Sequence, residues 1–141
     1  MRDTNFYVES FAKSRQHKAS TAAPGAMSKP QFRMMSDDYL RLAKAAVPLD
    51  GARGGTSNAF QAGYIALLSA LEPAELSRLD DHPNPGAARL GAERLGLAGG
   101  DCSFAEHVAT CYYAPNLSAL VPLSVCLDWA RRVRRAAGWP D

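Results

Sequence analysis

The stretch "TSNAFQAGYIALLSALE", residues 56–72, predicts an α-helix and, with it, the class of the fold. At 100° per residue its large apolar side chains gather on one face, as expected of a helix that packs against a core. Polar side chains fall on the other face, and Ile65 is the one large apolar residue that departs from this division. The apolar face comprises Phe60, Gly63, Tyr64, Leu67, Leu68 and Leu71, and the polar face comprises Asn58, Gln61 and Ser69.

The segments on either side of this stretch also show helical spacing. "SDDYLRLAKAAV" predicts a helix with Ser36 as its N-cap and two aspartates in the first turn, where the helix dipole favours them. Pro73 begins a short helix. Asn84 caps a further helix with Pro85 at its first position, an arrangement common at helix starts. We expect the glycine pair at 99–100 to end that helix.

Two more helices are predicted in the C-terminal third of the chain. In "SFAEHVATCYY", residues 103–113, Ser103 and Glu106 have the S-x-x-E spacing of a capping box, which predicts a helix that starts immediately after Ser103. "LSALVPLSVCLDWARRVRRAAGW" predicts a single helix over residues 118–137, with Pro122 either tolerated near its start or kinking it.

These elements predict an all-α fold, since no segment shows the alternation of β-branched residues that is typical of a strand. We expect a four- to five-helix bundle in residues 36–141, preceded by a flexible basic N-terminal arm at residues 1–35. The arm mixes Lys, Ser, Pro and Gly without a period and carries a net charge of +4, whereas the rest of the chain carries −2. Residues 5–12, "NFYVESFA", are expected to form an amphipathic turn that docks on the bundle.

The bulk composition favours one ordinary globular domain. The chain has 141 residues, 47% of them apolar and 21% charged. Its formal net charge of +2 is too small to favour partners of either charge. It has no apolar run long enough for a signal peptide or a membrane span. It has three cysteines, an odd number, so they do not all pair in disulfides within the chain. We therefore expect a cytoplasmic protein with free thiols and no membrane contact. The dominance of Arg over Lys indicates a bacterial, GC-rich source.

Cysteine and histidine side chains suggest two kinds of chemistry. His107 and Cys111 stand four residues apart on one helix, and Cys102 precedes the helix start, where a thiolate is favoured. With Cys126 they number four, as a zinc site needs, but no C-x-x-C pair is present. Cys111 falls at the edge of an apolar face and Cys126 at the centre of one, so we interpret both as packing residues. The polar cluster at residues 80–82 is interpreted as a solvated turn. No catalytic residue, metal or cofactor is expected.

Arginines near the end of the last helix are the main candidates for binding. They lie in "RRVRR", and three of the four face outward on the helical wheel. The helix dipole alone accounts for positive side chains at a helix C-terminus, so these arginines need no ligand to explain them. The same side chains are also able to bind phosphate or an acidic protein. The candidate binding residues are Arg131, Arg132, Arg134 and Arg135, together with Tyr112 and Tyr113 at the end of the preceding helix.

Two apolar residues indicate a second buried surface. Ile65 and Val125 both point away from the main apolar faces of their helices. In a helical bundle such residues often mark an interface between chains. We therefore expect the partner to be another protein or a second copy of this chain, as in a homodimer.

The order of the segments resembles the HEPN superfamily of small helical-bundle proteins. "YLRLAKAAV" followed by "SNAFQAGYIALLSALE" is similar to the first two helices of that family, and "HVATCYYAPN" followed by "ALVPLSVCLDWARRVRRAA" is similar to its final part. The resemblance covers roughly residues 37–138. It implies a helical dimer that binds RNA, nucleotide or protein in a toxin–antitoxin or defence setting. Active members are metal-independent ribonucleases that carry an Arg and a His with four to six residues between them. Here Arg78 precedes His82 with only three residues between, and no Arg lies within ten residues before His107, so the chain does not match that spacing.

Three functions remain at this point, in descending order of support. The first is a non-enzymatic helical-bundle protein that acts by protein–protein interaction as a regulatory or accessory subunit. The second is a HEPN-like protein that binds or cleaves RNA through the four arginines. The third is an enzyme that uses Cys102 or Cys111 as its nucleophile.

Overall fold

The computed structural model describes residues 27–49 and 54–140. In these two ranges it contains seven α-helices, a 3-10 turn and no β-strand, which confirms the predicted all-α class. Residues 5–12 lie outside the described residues, so the predicted amphipathic turn stays a prediction. The elements are α1 (Lys29–Ala46), the 3-10 turn (Val47–Leu49), α2 (Gly55–Leu68), α3 (Pro73–Leu76), α4 (Pro85–Arg94), α5 (Gly99–Cys111), α6 (Leu117–Leu120) and α7 (Leu123–Ala136).

Helix α2 is the centre of the bundle. Helices α1, α4 and α7 pack against it from different sides, and every residue from 55 to 69 is buried. The predicted helix is therefore confirmed, but its polar face is buried as well as its apolar face. Polar side chains on this face make hydrogen bonds inside the bundle. For example, Gln61 Nε2 donates to Tyr112 Oη at 3.2 Å, and Ser69 Oγ donates to the Ala66 carbonyl at 2.6 Å.

Two glycines allow other elements to approach α2 closely. A Cβ built on Gly63 would lie 2.4 Å from the Trp129 ring of α7, and one built on Gly91 of α4 would lie 2.5 Å from the Leu67 carbonyl oxygen. Real Cβ atoms are not found at such distances, so these two contacts depend on glycine. On the same side of α2, Phe60 stacks on Trp129 with ring centroids 5.2 Å apart and planes 7° from parallel.

The start of the bundle lies earlier than predicted. The N-cap of α1 is Ser28, and a capping box joins the backbone and side chains of Ser28 and Gln31. Residues 29–35, which were assigned to the flexible arm, are therefore helical, and Phe32 is buried. Ser36 is not a cap, because it lies inside α1 and donates its hydroxyl to the Ala62 carbonyl at 2.7 Å.

The boundary between α4 and α5 also differs from the prediction. Asn84 caps α4 as predicted and accepts from the Ala87 amide at 2.9 Å. The chain turns at Gly96, whose φ of 76° favours glycine, whereas the glycine pair at 99–100 begins α5. Ser103 therefore lies within α5 rather than at a capping box, and its hydroxyl accepts from Arg89 at 3.2 Å.

The predicted final helix is divided in two by Pro122. The chain is extended at Val121, and α7 begins immediately after the proline. A proline lacks the amide that an interior helical position needs, which explains why the helix does not continue through it. None of the helices in the described part of the chain is long and apolar enough to cross a membrane.

Candidate interaction surfaces

The structure gives the cysteines structural positions. Cys126 is completely buried between α7 and α2, and burial raises the pKa of its thiol. Cys102 is also buried, and the loss of solvation likewise raises the pKa of its thiol. Raised pKa values keep both groups as thiols at neutral pH, whereas a nucleophile or metal ligand must be a thiolate. Cys111 is half-buried and His107 is exposed. In the described ranges no three metal-binding side chains form a group.

The predicted arginine site separates into individual ion pairs. Arg132 holds the Asp101 carboxylate of α5 with two hydrogen bonds, from Nε at 3.1 Å and from Nη2 at 2.9 Å. Arg131 lies 3.8 Å from Asp128, one turn away on the same helix. Arg135 is exposed on the outer side of α7. Acidic neighbours thus offset much of the positive charge that the sequence concentrates in this segment.

Arg134 is directed into the protein and joins α7 to α1. The residue is 1% exposed. Its Nη1 donates to Ser36 Oγ, and its Nη2 donates both to Asp37 and to the Pro140 carbonyl, each at 2.6 Å. The guanidinium also lies 5.7 Å from the centre of the Trp139 ring. Arg134 is therefore a structural cation at the junction of α1, α7 and the C-terminal turn, and sequence spacing gave no sign of its partners.

The two tyrosines at the end of α5 occupy different environments. Tyr112 is buried against α2, and this burial raises the pKa of its phenol well above the ordinary value, so it is not a surface contact. Tyr113 is 40% exposed, and its hydroxyl shares a 2.7 Å hydrogen bond with His82 Nδ1. The amide of His82 donates to Asp80 Oδ1 at 2.9 Å. The structure therefore joins Tyr113 to the predicted polar turn, which lies 31 residues earlier.

The two residues proposed for an interface also separate. Ile65 is only 5% exposed in the single chain, because helices surround α2 on all sides. The second surface that the sequence indicated for Ile65 is therefore internal, and Ile65 is not available to a partner. Val125 is 48% exposed near the start of α7 and stays a candidate contact.

An open groove of about 530 Å³ lies where the end of α1 meets the α6–α7 corner. Gly55 allows this meeting, because a Cβ there would lie 3.1 Å from Ala46 and 3.2 Å from Leu123. Val47 in the lining of the groove is 50% exposed, and Leu120 and Val125, which are not lining residues but stand within two positions of them in the sequence, are about half exposed too. The groove is lined by Val47, Ser118, Pro122, Leu123, Ser124, Leu127, Asp128 and Arg131. Sequence reasoning missed it, because the groove depends on the break at Pro122.

Comparison with known proteins does not extend these observations: no protein-family model, no curated protein and no solved structure matches the chain.

Proposed function

We propose that this protein is a non-enzymatic helical-bundle subunit that binds another protein through the groove between the 3-10 turn and the α6–α7 corner. The observation that carries the proposal is the exposure of large apolar side chains in and around this groove. Val47 lines it and is 50% exposed, and Leu120 and Val125, each within two residues of a lining position in the sequence, are about half exposed. Contiguous exposed apolar groups beside polar residues are typical of protein-binding surfaces.

The shape and chemistry of the groove favour an amphipathic helix as the bound segment. Its floor is apolar, formed by Leu123 and Leu127, and it lies along the first two turns of α7. An apolar stripe on a partner helix would be buried there, as in other helix-in-groove interactions.

Charges on one wall specify the partner further. Asp128 and Arg131 line the groove one helical turn apart, and their mutual ion pair is long, at 3.8 Å, and exposed. Exposed pairs of this kind contribute only about 0–1 kcal/mol, so either member exchanges readily for a partner's charge. We therefore expect a helix that carries a basic residue opposite Asp128 and an acidic residue opposite Arg131.

RNA binding by a HEPN-like protein is the alternative function. The arginines that would contact phosphate are Arg131, Arg132 and Arg135, since Arg134 is buried. Arg132 already donates two hydrogen bonds to the Asp101 carboxylate. The free energy needed to break them would oppose phosphate binding by Arg132. The groove therefore favours a protein partner over RNA.

A selection from amphipathic helical peptides tests the proposal. A displayed library is selected on the full chain, and the dissociation constant of an enriched peptide is measured by calorimetry. Val47→Glu and Ser124→Arg each place a charge in the groove at an exposed position, so each should weaken binding at least about tenfold. Met34→Glu is the matched control, because Met34 is exposed about 20 Å away along α1 and should leave binding unchanged.

A peptide dissociation constant that is unchanged in both Val47→Glu and Ser124→Arg would contradict the proposal. A single-stranded RNA oligonucleotide is tested in parallel for the alternative. Steeply salt-dependent RNA binding that is lost in Arg132→Gln and Arg135→Gln, with no peptide dependence on the groove, would replace protein binding by RNA binding. Self-association that Val47→Glu abolishes would identify the partner as a second copy of the chain.

A further inference from the structure

A second pocket lies on the side of α1 that faces the C-terminal turn. It measures about 310 Å³, at the small end of the range for ligand sites, and it shares no lining residue with the groove at the α6–α7 corner. Its lining is unusually cationic for a chain with a net charge of only +2. The lining residues are Asp37, Leu40, Arg41, Lys44, Arg134 and Pro140.

Arg134 is the buried, rigid part of this lining. Three of its five N–H donors are used by Ser36, Asp37 and the Pro140 carbonyl, which fix the guanidinium in place. Its Nε has no hydrogen-bond partner among the described residues. An unsatisfied buried donor on a charged group is costly, and a ligand acceptor within reach of this N–H would relieve that cost.

The remaining charges leave the pocket positive. Asp37 is the one carboxylate in the lining, and Arg134 compensates it through a 2.6 Å hydrogen bond. Arg41 pairs with Asp38 on the same exposed helix face, a kind of pair that contributes little and is readily exchanged. Lys44 forms no ion pair with any other residue in the described part of the chain, so its charge is available to a ligand.

We propose that this pocket binds a small phosphate monoester, with Arg41, Lys44 and Arg134 around the phosphate. A phosphate monoester carries a charge of about −1.5 to −2 at neutral pH and has several acceptor oxygens, which suits two mobile cations and one fixed guanidinium. Leu40 and Pro140 supply apolar surface for the organic part of the ligand. This site is independent of the groove and does not rest on the proposed protein partner.

Calorimetric titration of the full chain at low salt tests the site. The probes are ribose 5-phosphate and ribose, which differ in the phosphate alone. Ribose 5-phosphate should bind and ribose should not. Lys44→Gln should weaken the binding at least about tenfold, and the double variant Arg41→Gln, Lys44→Gln more, because each removes a charge-assisted hydrogen bond. Both positions are exposed, so the fold is retained.

Arg33→Gln is the matched control, because Arg33 is an exposed cation on the same helix outside the pocket. It should leave the affinity for ribose 5-phosphate within about twofold, the scale of general screening. In a nuclear magnetic resonance titration with ribose 5-phosphate, the amide shifts of Leu40 and Lys44 should saturate with the dissociation constant that calorimetry gives. The absence of ribose 5-phosphate binding, an unchanged affinity in Lys44→Gln, or an equal loss in Arg33→Gln would each overturn the proposal.

Discussion

Helices α2 and α7 are both fourteen residues long, yet they relate to solvent in different ways. Helix α2 is buried along its whole length, and its polar side chains, such as Gln61, make hydrogen bonds inside the bundle. Helix α7 buries one face and exposes the other, which carries arginines and Val125. A helix without an exposed face contributes to stability and has no surface for a partner. A helix with one buried face and one exposed face is able both to stabilise the bundle and to contact a partner, so the proposed binding surface lies on α7 and its neighbours.

The largest expected effect lies where the two helices meet. Trp129 is completely buried, stacks on Phe60 and donates its indole N–H to the Asp101 carbonyl at 3.2 Å. Trp129→Ala leaves a cavity and an orphaned carbonyl, so we expect the free energy of unfolding in urea to fall by about 3–5 kcal/mol. Trp139→Ala at the half-buried C-terminal turn is the control and should cost clearly less. Equal losses would show that the α2–α7 contact is not the dominant one.

A matched pair of apolar truncations separates the two helices directly. Ile65 in α2 and Val125 in α7 looked equivalent in the sequence, yet the first is buried and the second is half exposed. We expect Ile65→Ala to lower the free energy of unfolding by about 2–5 kcal/mol and Val125→Ala to change it by no more than about 0.5 kcal/mol. Chemical denaturation of both variants checks this, and similar values for the two would contradict the burial of α2.

Close packing at Gly63 predicts a smaller loss. A Cβ there would meet the Trp129 ring, so Gly63→Ala should cost about 1–3 kcal/mol despite the better helix propensity of alanine. Gly100→Ala, at an exposed helical position with nothing within 4 Å of its Cβ, is the control and should not destabilise. Thermal unfolding compares the two, and a neutral Gly63→Ala would mean that α7 lies farther from α2.

The comparison also shows which features are accessible to sequence reasoning. Local sequence signals were sufficient to predict that α2 is a helix and that Asn84 is an N-cap, since both features depend on residues within one or two turns. The burial of the polar face of α2 was not predicted, because its partners are remote: Gln61 is satisfied by Tyr112, 51 residues away. The prediction of Ser36 as an N-cap was wrong for a different reason: a capping box at Ser28 starts the helix earlier.

The candidate sites were less predictable than the fold. The wheel of the last helix indicated that three of the four arginines face outward, but it gave no sign that Arg132 is paired with Asp101 of α5, 31 residues earlier. The pocket beside Arg134 combines residues from α1 with the chain end, a separation of 97 residues between Asp37 and Arg134. No local pattern encodes such a meeting, because it results from the packing of the whole bundle.

The smallest expected effect is a pH dependence at the edge of the bundle, remote from both helices. The Arg94 guanidinium of α4 and the Glu72 amide hold the pKa of Glu75 at about 2, below its usual value of 4.5. A lowered pKa in the folded state stabilises the protein above pH 4.5, and this contribution is lost as the pH falls toward 2. The difference in unfolding free energy between wild type and Glu75→Gln should therefore shrink over that range, which acid titrations of the two proteins measure. A constant difference would contradict the two hydrogen bonds that Arg94 donates to the carboxylate oxygens of Glu75.

The central claim is that α2 is the enclosed axis of the bundle, and native-state hydrogen exchange tests it most directly. Amides that open only with global unfolding exchange at the rate set by the full unfolding free energy. The account predicts that the amides of residues 59–68 in α2 form the slowest-exchanging group, with one common free energy that matches denaturant unfolding, and that the last turn of α7 exchanges faster. An α2 that exchanges through local openings, or faster than α4 and α7, would contradict it.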